Sequence, residues 1–255
     1  MQYHRNPLIE VVCQFRFPKL LRLEAELPAD FQDKIKPKFP LLKENTGFEF
    51  AMAVGEEFAS APPVAKTQVR SYNFFSSDKD WNVGISSTSF SLTCKNYKRW
   101  EEFKEHLDLI REAFVSIYGP PYIQRCGLRY INVIDPVDLG LEQSSFSELI
   151  SADLVGDGYK AMLGSDSLRE LSGSYSMSLS SRGHFFRVSY GLVKHPKEPR
   201  NGFKIDSDFW VEGELEPASN DITESLDGFN RAAGSLFQHS IEEHLFEALG
   251  PKALS

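Results

Sequence analysis

Between residues 96 and 119 apolar side chains recur three and four positions apart: Trp100, Phe103, Leu107, Ile110, Phe114 and Ile117. A helix of 3.6 residues per turn puts all six on one stripe. Lys98, Glu101, Glu102, Lys104, Glu105, Asp108, Arg111 and Glu112 fill the opposite side, which predicts a surface helix lying on a sheet or on another helix. Asn96 is placed to cap its start, and Gly119-Pro120-Pro121 stops it, because Gly accepts the left-handed C-terminal conformation and Pro cannot continue the ladder. The period then changes to two. Over 123–134, Ile123, Arg125, Gly127, Arg129, Ile131 and Val133 take one side of a strand, and Cys126, Leu128, Tyr130 and Ile134 take the core side.

The rest of the chain repeats these two patterns. Residues 6–17 read as a strand with Ile9, Val11, Cys13, Phe15 and Phe17 inward. Residues 27–42 hold a short helix at most, since Pro37 and Pro40 interrupt Phe31, Ile35 and Phe39. Strands are predicted over 48–54, 67–75, 81–86 and 89–94, the last two joined at Ser87-Thr88. After the strand at 123–134 come a short helix over 147–154 and an irregular stretch at Gly156, Gly158 and Gly164. A hairpin over 168–180 and 184–193, a strand over 203–215 and a helix over 221–249 complete the pattern. Asp221 and Glu224 have capping-box spacing, and Gly250-Pro251 is the stop.

Each half therefore reads strand, short helix, strands, long helix. Setting Pro7, Cys13, Phe15, Arg16 and Phe17 over Pro120, Cys126, Leu128, Arg129 and Tyr130 requires one constant offset and keeps the core sides in register. An internal duplication is the reading this supports. The expected fold is α+β, with two similar tandem lobes, 1–119 and 120–255, packed as one unit. Each lobe is a curved antiparallel sheet covered by a long helix. The element order resembles the two-repeat saddle of the TATA-box-binding protein class, a likeness of topology that does not carry function.

Composition narrows the options. With 255 residues and 41% hydrophobic content the chain can bury a large core. A net charge of -8 weighs against broad grip on nucleic acid, which depends on Lys and Arg neutralising phosphates. Cys13, Cys94 and Cys126 are scattered and odd in number, so neither a disulfide framework nor a zinc knuckle is indicated, and a reducing cytoplasm fits best. No signal-peptide run or membrane-spanning stretch is visible.

Three constellations carry candidate chemistry. Asp206, Asp208, Glu212 and Glu214 alternate with Ile205, Phe209, Val211 and Leu215, sharing a strand face with Lys204 and Trp210. Asp206, Asp208 and Glu212 are the candidate metal ligands, since divalent cations favour carboxylate oxygens. A solvated outer sheet face explains the same alternation more simply. Arg125 and Arg129, with Arg16 as the counterpart of Arg129, suit a phosphate or carboxylate, or acidic side chains on a neighbouring strand or helix. With Trp210 they form the expected ligand or partner surface. His239 and Glu243 stand a turn apart, but the run HSIEEH is not HEXXH, and no GxSxG, Walker or GxGxxG signature occurs.

The combination of NPLIEVVCQFRF, Tyr97 with Trp100 and Phe103, IQRCGLRYIN at 123–132 and IDSDFW at 205–210 resembles a sporadically distributed, uncharacterised bacterial protein family. The resemblance spans nearly the whole chain. It implies no catalytic residues or cofactor, and it suggests a defence-associated or toxin-antitoxin-like setting. The first expectation is thus a non-enzymatic interaction or regulatory module with a protein partner, with homo-oligomerisation compatible. The alternatives are a small ligand or nucleotide held between sheet and helix, and a metal-dependent hydrolase or nuclease.

Overall fold

In the computed structural model, which describes residues 2–46, 70–156, 169–181, 183–195 and 197–252, the chain opens with β1 (Gln2–Tyr3) and β2 (Leu8–Arg16). Two short helices follow, α1 (Arg22–Ala25) and α2 (Ala29–Ile35), then β3 (Leu41–Thr46), β4 (Arg70–Phe75), β5 (Trp81–Ile85) and β6 (Ser89–Cys94). The long helix α3 (Trp100–Tyr118) leads into β7 (Ile123–Ile134). After it come α4 (Phe146–Leu149), α5 (Ala152–Val155), β8 (Ser172–Ser178), β9 (His184–Lys194) and β10 (Asn201–Leu215). The helices α6 (Asn220–His239) and α7 (Glu243–Leu249) and the strand β11 (Pro251–Lys252), which pairs with β1, end the described chain.

The protein is α+β: among the described residues nine strands form one antiparallel sheet in the order β3-β4-β5-β6-β2-β7-β10-β9-β8. The strands that open the two halves, β2 and β7, lie side by side near its middle, with Gln14 opposite Gly127. Under the constant offset of the aligned motifs those two residues are equivalents. The pairings on either side of them, Cys13 with Leu128 and Phe15 with Cys126, then exchange equivalent partners.

Among the described residues the buried helix side chains lie on one side of this sheet. Phe103, Leu107, Ile110 and Phe114 of α3 and Ile222, Leu226 and Phe229 of α6 pack into the core with Val11, Cys13, Phe15, Leu92, Cys126, Leu128 and Phe209. This core draws on both sides of the 119/120 boundary. A smaller cluster under α4, α5 and α7 gathers Ile134, Val188, Phe203, Ile205, Leu149 and Leu245. Cys13, Cys94 and Cys126 are all free and buried, and burial pushes the Cys94 thiol up to about 12.

The helix ends differ in part from expectation. Gly119 takes the left-handed conformation, φ 50°, and closes α3. At the other end the N-cap is Arg99, without a side-chain cap, and Asn96, just after β6, donates instead to Asp80, just before β5, at 3.0 Å. Ser219, rather than Asp221, caps α6 by accepting the Asp221 N–H. The single helix expected over 221–249 is broken at Ser240, whose hydroxyl donates to the Leu236 carbonyl at 2.8 Å, while Ile241 leaves to bridge Ile150. His239 and Glu243 therefore belong to separate helices, and the His239 ring bonds the Ser235 carbonyl at 2.7 Å.

The short helix expected over 147–154 is two pieces, α4 and α5. Strand β3 begins inside the stretch read as helical at most, its polar Lys43, Glu44 and Asn45 giving no apolar alternation. Ile123 leaves its expected side and joins the core, where the register against β10 slips between Glu212 and Leu215. The strand expected over 48–54, the glycines at 158 and 164 and part of the 181–183 turn lie outside the described residues. No described helix is long and apolar enough to cross a membrane.

A polar clasp joins the two long helices. Trp100 Nε1 donates to Asp227 Oδ1 at 2.6 Å, and Lys104 Nζ lies 2.8 Å from Asp227 Oδ2. Burial works against the Asp227 carboxylate, yet the bonds from Lys104 and Trp100 outweigh it and hold its pKa below the ordinary aspartate value. A depressed folded-state pKa contributes stability above the unfolded value, near 4, and that contribution is lost as pH falls through the folded pKa. Asp227→Ala is expected to cost about 1–2 kcal/mol at neutral pH, since the clasp is only partly buried. In urea melts across pH, the gap to wild type should narrow below about pH 4. A gap that stays constant there would assign the loss to packing alone.

Candidate functional site: the open face of the sheet

The side of the sheet opposite the helices is where every proposed site residue lands. Strand pairing sets this: Arg16 stands opposite Arg125, Glu212 also opposite Arg125, Asp208 opposite Arg129 and Trp210 opposite Gly127. On the next strand Phe185 faces Trp210, Arg187 faces Asp208 and Ser189 faces Asp206. Because paired residues share a face, Arg16, Arg125, Arg129, Asp206, Asp208, Trp210 and Glu212 share one surface. The helix cores contain none of them.

The arginines and aspartates hold each other. Arg129 grips Asp206 with two bonds, Nε to Oδ1 and Nη2 to Oδ2, both 2.6 Å. Arg125 Nη2 donates to Asp208 Oδ2 at 2.6 Å, and Lys204 lies 3.5 Å from Asp206. The aspartate side chains are 7% exposed, against 15% for Arg125 and 22% for Arg129, so the cations lie over the anions. Burial pushes the Asp208 carboxyl up, with Arg125 and Arg129 pulling it partly back. The bond to Asp206 raises the Arg129 pKa.

An aromatic shelf adjoins this network. The Arg125 guanidinium lies 5.0 Å from the Trp210 ring centre, and Phe185 stacks on Trp210 at 5.6 Å and 23°. Trp210 Nε1 donates to Glu212 Oε1 at 2.8 Å. Gly127 makes the arrangement fit: a Cβ there would sit 2.6 Å from Arg125 Nη1. Gly127→Ala is therefore expected to push Arg125 off its seat between Asp208 and Trp210. A change in Trp210 fluorescence, with the protein still folded, would register the displacement; an unchanged spectrum would count against the seat.

The three candidate metal ligands thus engage different donors: Asp206 takes Arg129, Asp208 takes Arg125 and Glu212 takes Trp210. Among the described residues no group of three or more His, Cys, Asp and Glu converges in a way that could hold a metal ion. Arg125 and Arg129 face away from the helices, so they cannot read a ligand enclosed between sheet and helix. The gap between α3 and α6, lined by Trp100, Leu107 and Leu226 among others, is a cavity of about 10 Å³, room for one water and far below a ligand site.

Arg16 is exposed and lies beside the network. Phe185 and Arg187 also belong to this face and were not singled out by sequence reasoning; period-2 alternation in β9 was the available signal. Around them the face is mostly small and polar: Asn82, Gly84, Ser91 and Thr93 on one flank and Ser172, Ser174, Ser176 and Ser178 on the other. Arg187 Nε donates to Ser176 at 2.8 Å.

Compared with known proteins, the chain matches no family model, and no curated protein is significantly similar to it.

Proposed function

We propose that this chain is a non-enzymatic interaction module that recognises a protein partner through the open face of its sheet. The observation that carries the reading is the one-sided layering: among the described residues every helix core lies on one side of the sheet. The other side presents a pre-organised Arg, Asp and Trp network. Strand-borne side chains locked by mutual bonds lose little freedom on binding, which favours recognition. Arg and Trp are the residue types that most often anchor protein interfaces. Arg16, Arg187 and Lys204 add cations to this face of a chain with net charge -8, so the complementary partner surface is acidic.

The mirrored strand order about Gln14 and Gly127 supports an origin by internal duplication, with two similar curved halves meeting at β2 and β7. A regulatory role in a bacterial defence or toxin-antitoxin-like setting accords with the family resemblance.

Arg16→Glu and Trp210→Ala test the reading together. Arg16 is exposed and Trp210 is half-buried, outside the core, so the double variant should stay folded although it loses the Trp210 contacts to Phe185, Arg125 and Glu212. Affinity purification from the native host should retain a protein in stoichiometric amount on wild type, and the double variant should lose it. Equal retention by both, or nothing retained by wild type, overturns the proposal.

A further inference from the structure

We propose that β8 is a self-complementary edge at which a second copy of this chain pairs, joining the two nine-stranded sheets into one continuous sheet. Among the described residues the sheet ends at β3 on one side and β8 on the other. An unpaired edge is a template for another strand unless charge, proline or a bulge blunts it. β3 carries Lys43 and Glu44. β8 reads Ser-Gly-Ser-Tyr-Ser-Met-Ser, with no charge and no proline.

The register shows which groups are free. Leu192 N–H donates to the Leu171 carbonyl and Leu179 N–H to the His184 carbonyl, so odd-numbered positions of β8 bond inward to β9. The N–H and C=O groups of Ser172, Ser174, Ser176 and Ser178 point outward, and among the described residues no backbone bond reaches them from that side. Antiparallel pairing about a two-fold axis at Tyr175 sets Ser172 against Ser178 of the second copy and Ser174 against Ser176. Those are the outward-facing positions, and the register forms about eight backbone hydrogen bonds.

The side chains agree with the same axis. Tyr175 meets Tyr175 of the second copy at the close, non-hydrogen-bonded spacing, and Met177 lies across from Gly173, large against small. Tyr175 is 37% and Met177 55% exposed, both on the helix side of the sheet, and this pairing covers them. Because β8 is uncharged, no like charges oppose each other across the axis. A closed two-fold dimer also leaves no further β8 edge free to extend into a fibre.

Sedimentation velocity over a range of concentrations tests this, with wild type expected to sediment as a dimer. Ser174→Pro removes an outward N–H at a position where an edge strand tolerates proline, and it should give a monomer with an unchanged far-UV spectrum. Met177→Lys should act likewise without touching the backbone. In the dimer Tyr175→Cys should cross-link to its copy on oxidation, whereas Met177→Cys should not, because only position 175 lies on the axis. Wild type that stays monomeric at high micromolar concentration overturns the proposal. So does a dimer that survives both Ser174→Pro and Met177→Lys, or one in which Tyr175→Cys fails to cross-link. Arg16→Glu with Trp210→Ala should leave the dimer intact, so failure of the edge and failure of the face are separately readable.

Discussion

Phe114→Ala is expected to destabilise the protein by about 3–5 kcal/mol, the largest single effect predicted for this chain. Phe114 is fully buried. Its ring meets Phe90 at 4.6 Å, Tyr118 at 4.9 Å, Phe17 at 5.0 Å and Phe31 at 6.0 Å between centroids. Those neighbours come from β6, α3, α2 and the residue after β2, so truncation opens a void that no single element can relax to fill. Phe114→Leu, which keeps most of the volume, should cost much less, about 1–2 kcal/mol. Equilibrium urea melts of both variants check this. If the two substitutions cost the same, the aromatic cluster is not the organising contact of this half.

Asp206→Ala is expected to cost about 3 kcal/mol, because it leaves the Arg129 guanidinium poorly solvated and without its bidentate partner. The aspartate sits deep, and only about a fifth of the arginine side chain reaches solvent. Removing both charges separates the penalty of a cation that has lost its bidentate carboxylate from the worth of the pair. Arg129→Met with Asp206→Leu should return to within about 1 kcal/mol of wild type, since replacing a buried pair with apolar groups is often neutral. A double variant as unstable as Asp206→Ala alone would show that the ionic pair itself stabilises the sheet. The same double variant should still lose the proposed partner, because the recognition surface is gone although the fold remains.

The legibility of the site followed from period-2 geometry. Alternation in 123–134 and 203–215 assigned Arg125, Arg129, Asp206, Asp208 and Trp210 to outer strand faces, and each lies there. Pairing of the arginines with acidic residues of a neighbouring strand or helix was also a visible option, and the strand is the one realised. What alternation cannot specify is which strand is the neighbour, because Arg129 and Asp206, 77 positions apart, and Arg125 and Asp208, 83 apart, meet only through sheet order. The metal reading drew on residue type and a shared strand face, neither of which specifies that each carboxylate meets a different donor. Phe185 and Arg187 were missed for a related reason: β9 is half-buried on both sides, which weakens its alternation.

Helix boundaries show the same division. The apolar stripe and Gly119 determined the body and end of α3, since periodicity and the left-handed terminus are local properties. The break at Ser240 was invisible, because Ile241 leaves the helix to pair with Ile150, a contact across 91 positions. Likewise nothing local marks Asp227, whose partners Trp100 and Lys104 stand on the other long helix.

By itself the sequence determined the α+β class, the strands at 8–16, 89–94 and 123–134, the body of the two long helices and most of the core side of β2 and β7, Ile9, which is exposed, and Ile123, which is buried, being the exceptions. Local conformational preference and hydrophobic period suffice for these. Only the tertiary structure decided that one sheet face stays free of helices among the described residues, that Arg125 and Arg129 are satisfied by Asp208 and Asp206, and that β8 ends the sheet uncharged. Those properties depend on which distant segments become neighbours. Neighbourhood is chosen by burying the whole apolar surface at once, and no local stretch of sequence encodes that sum.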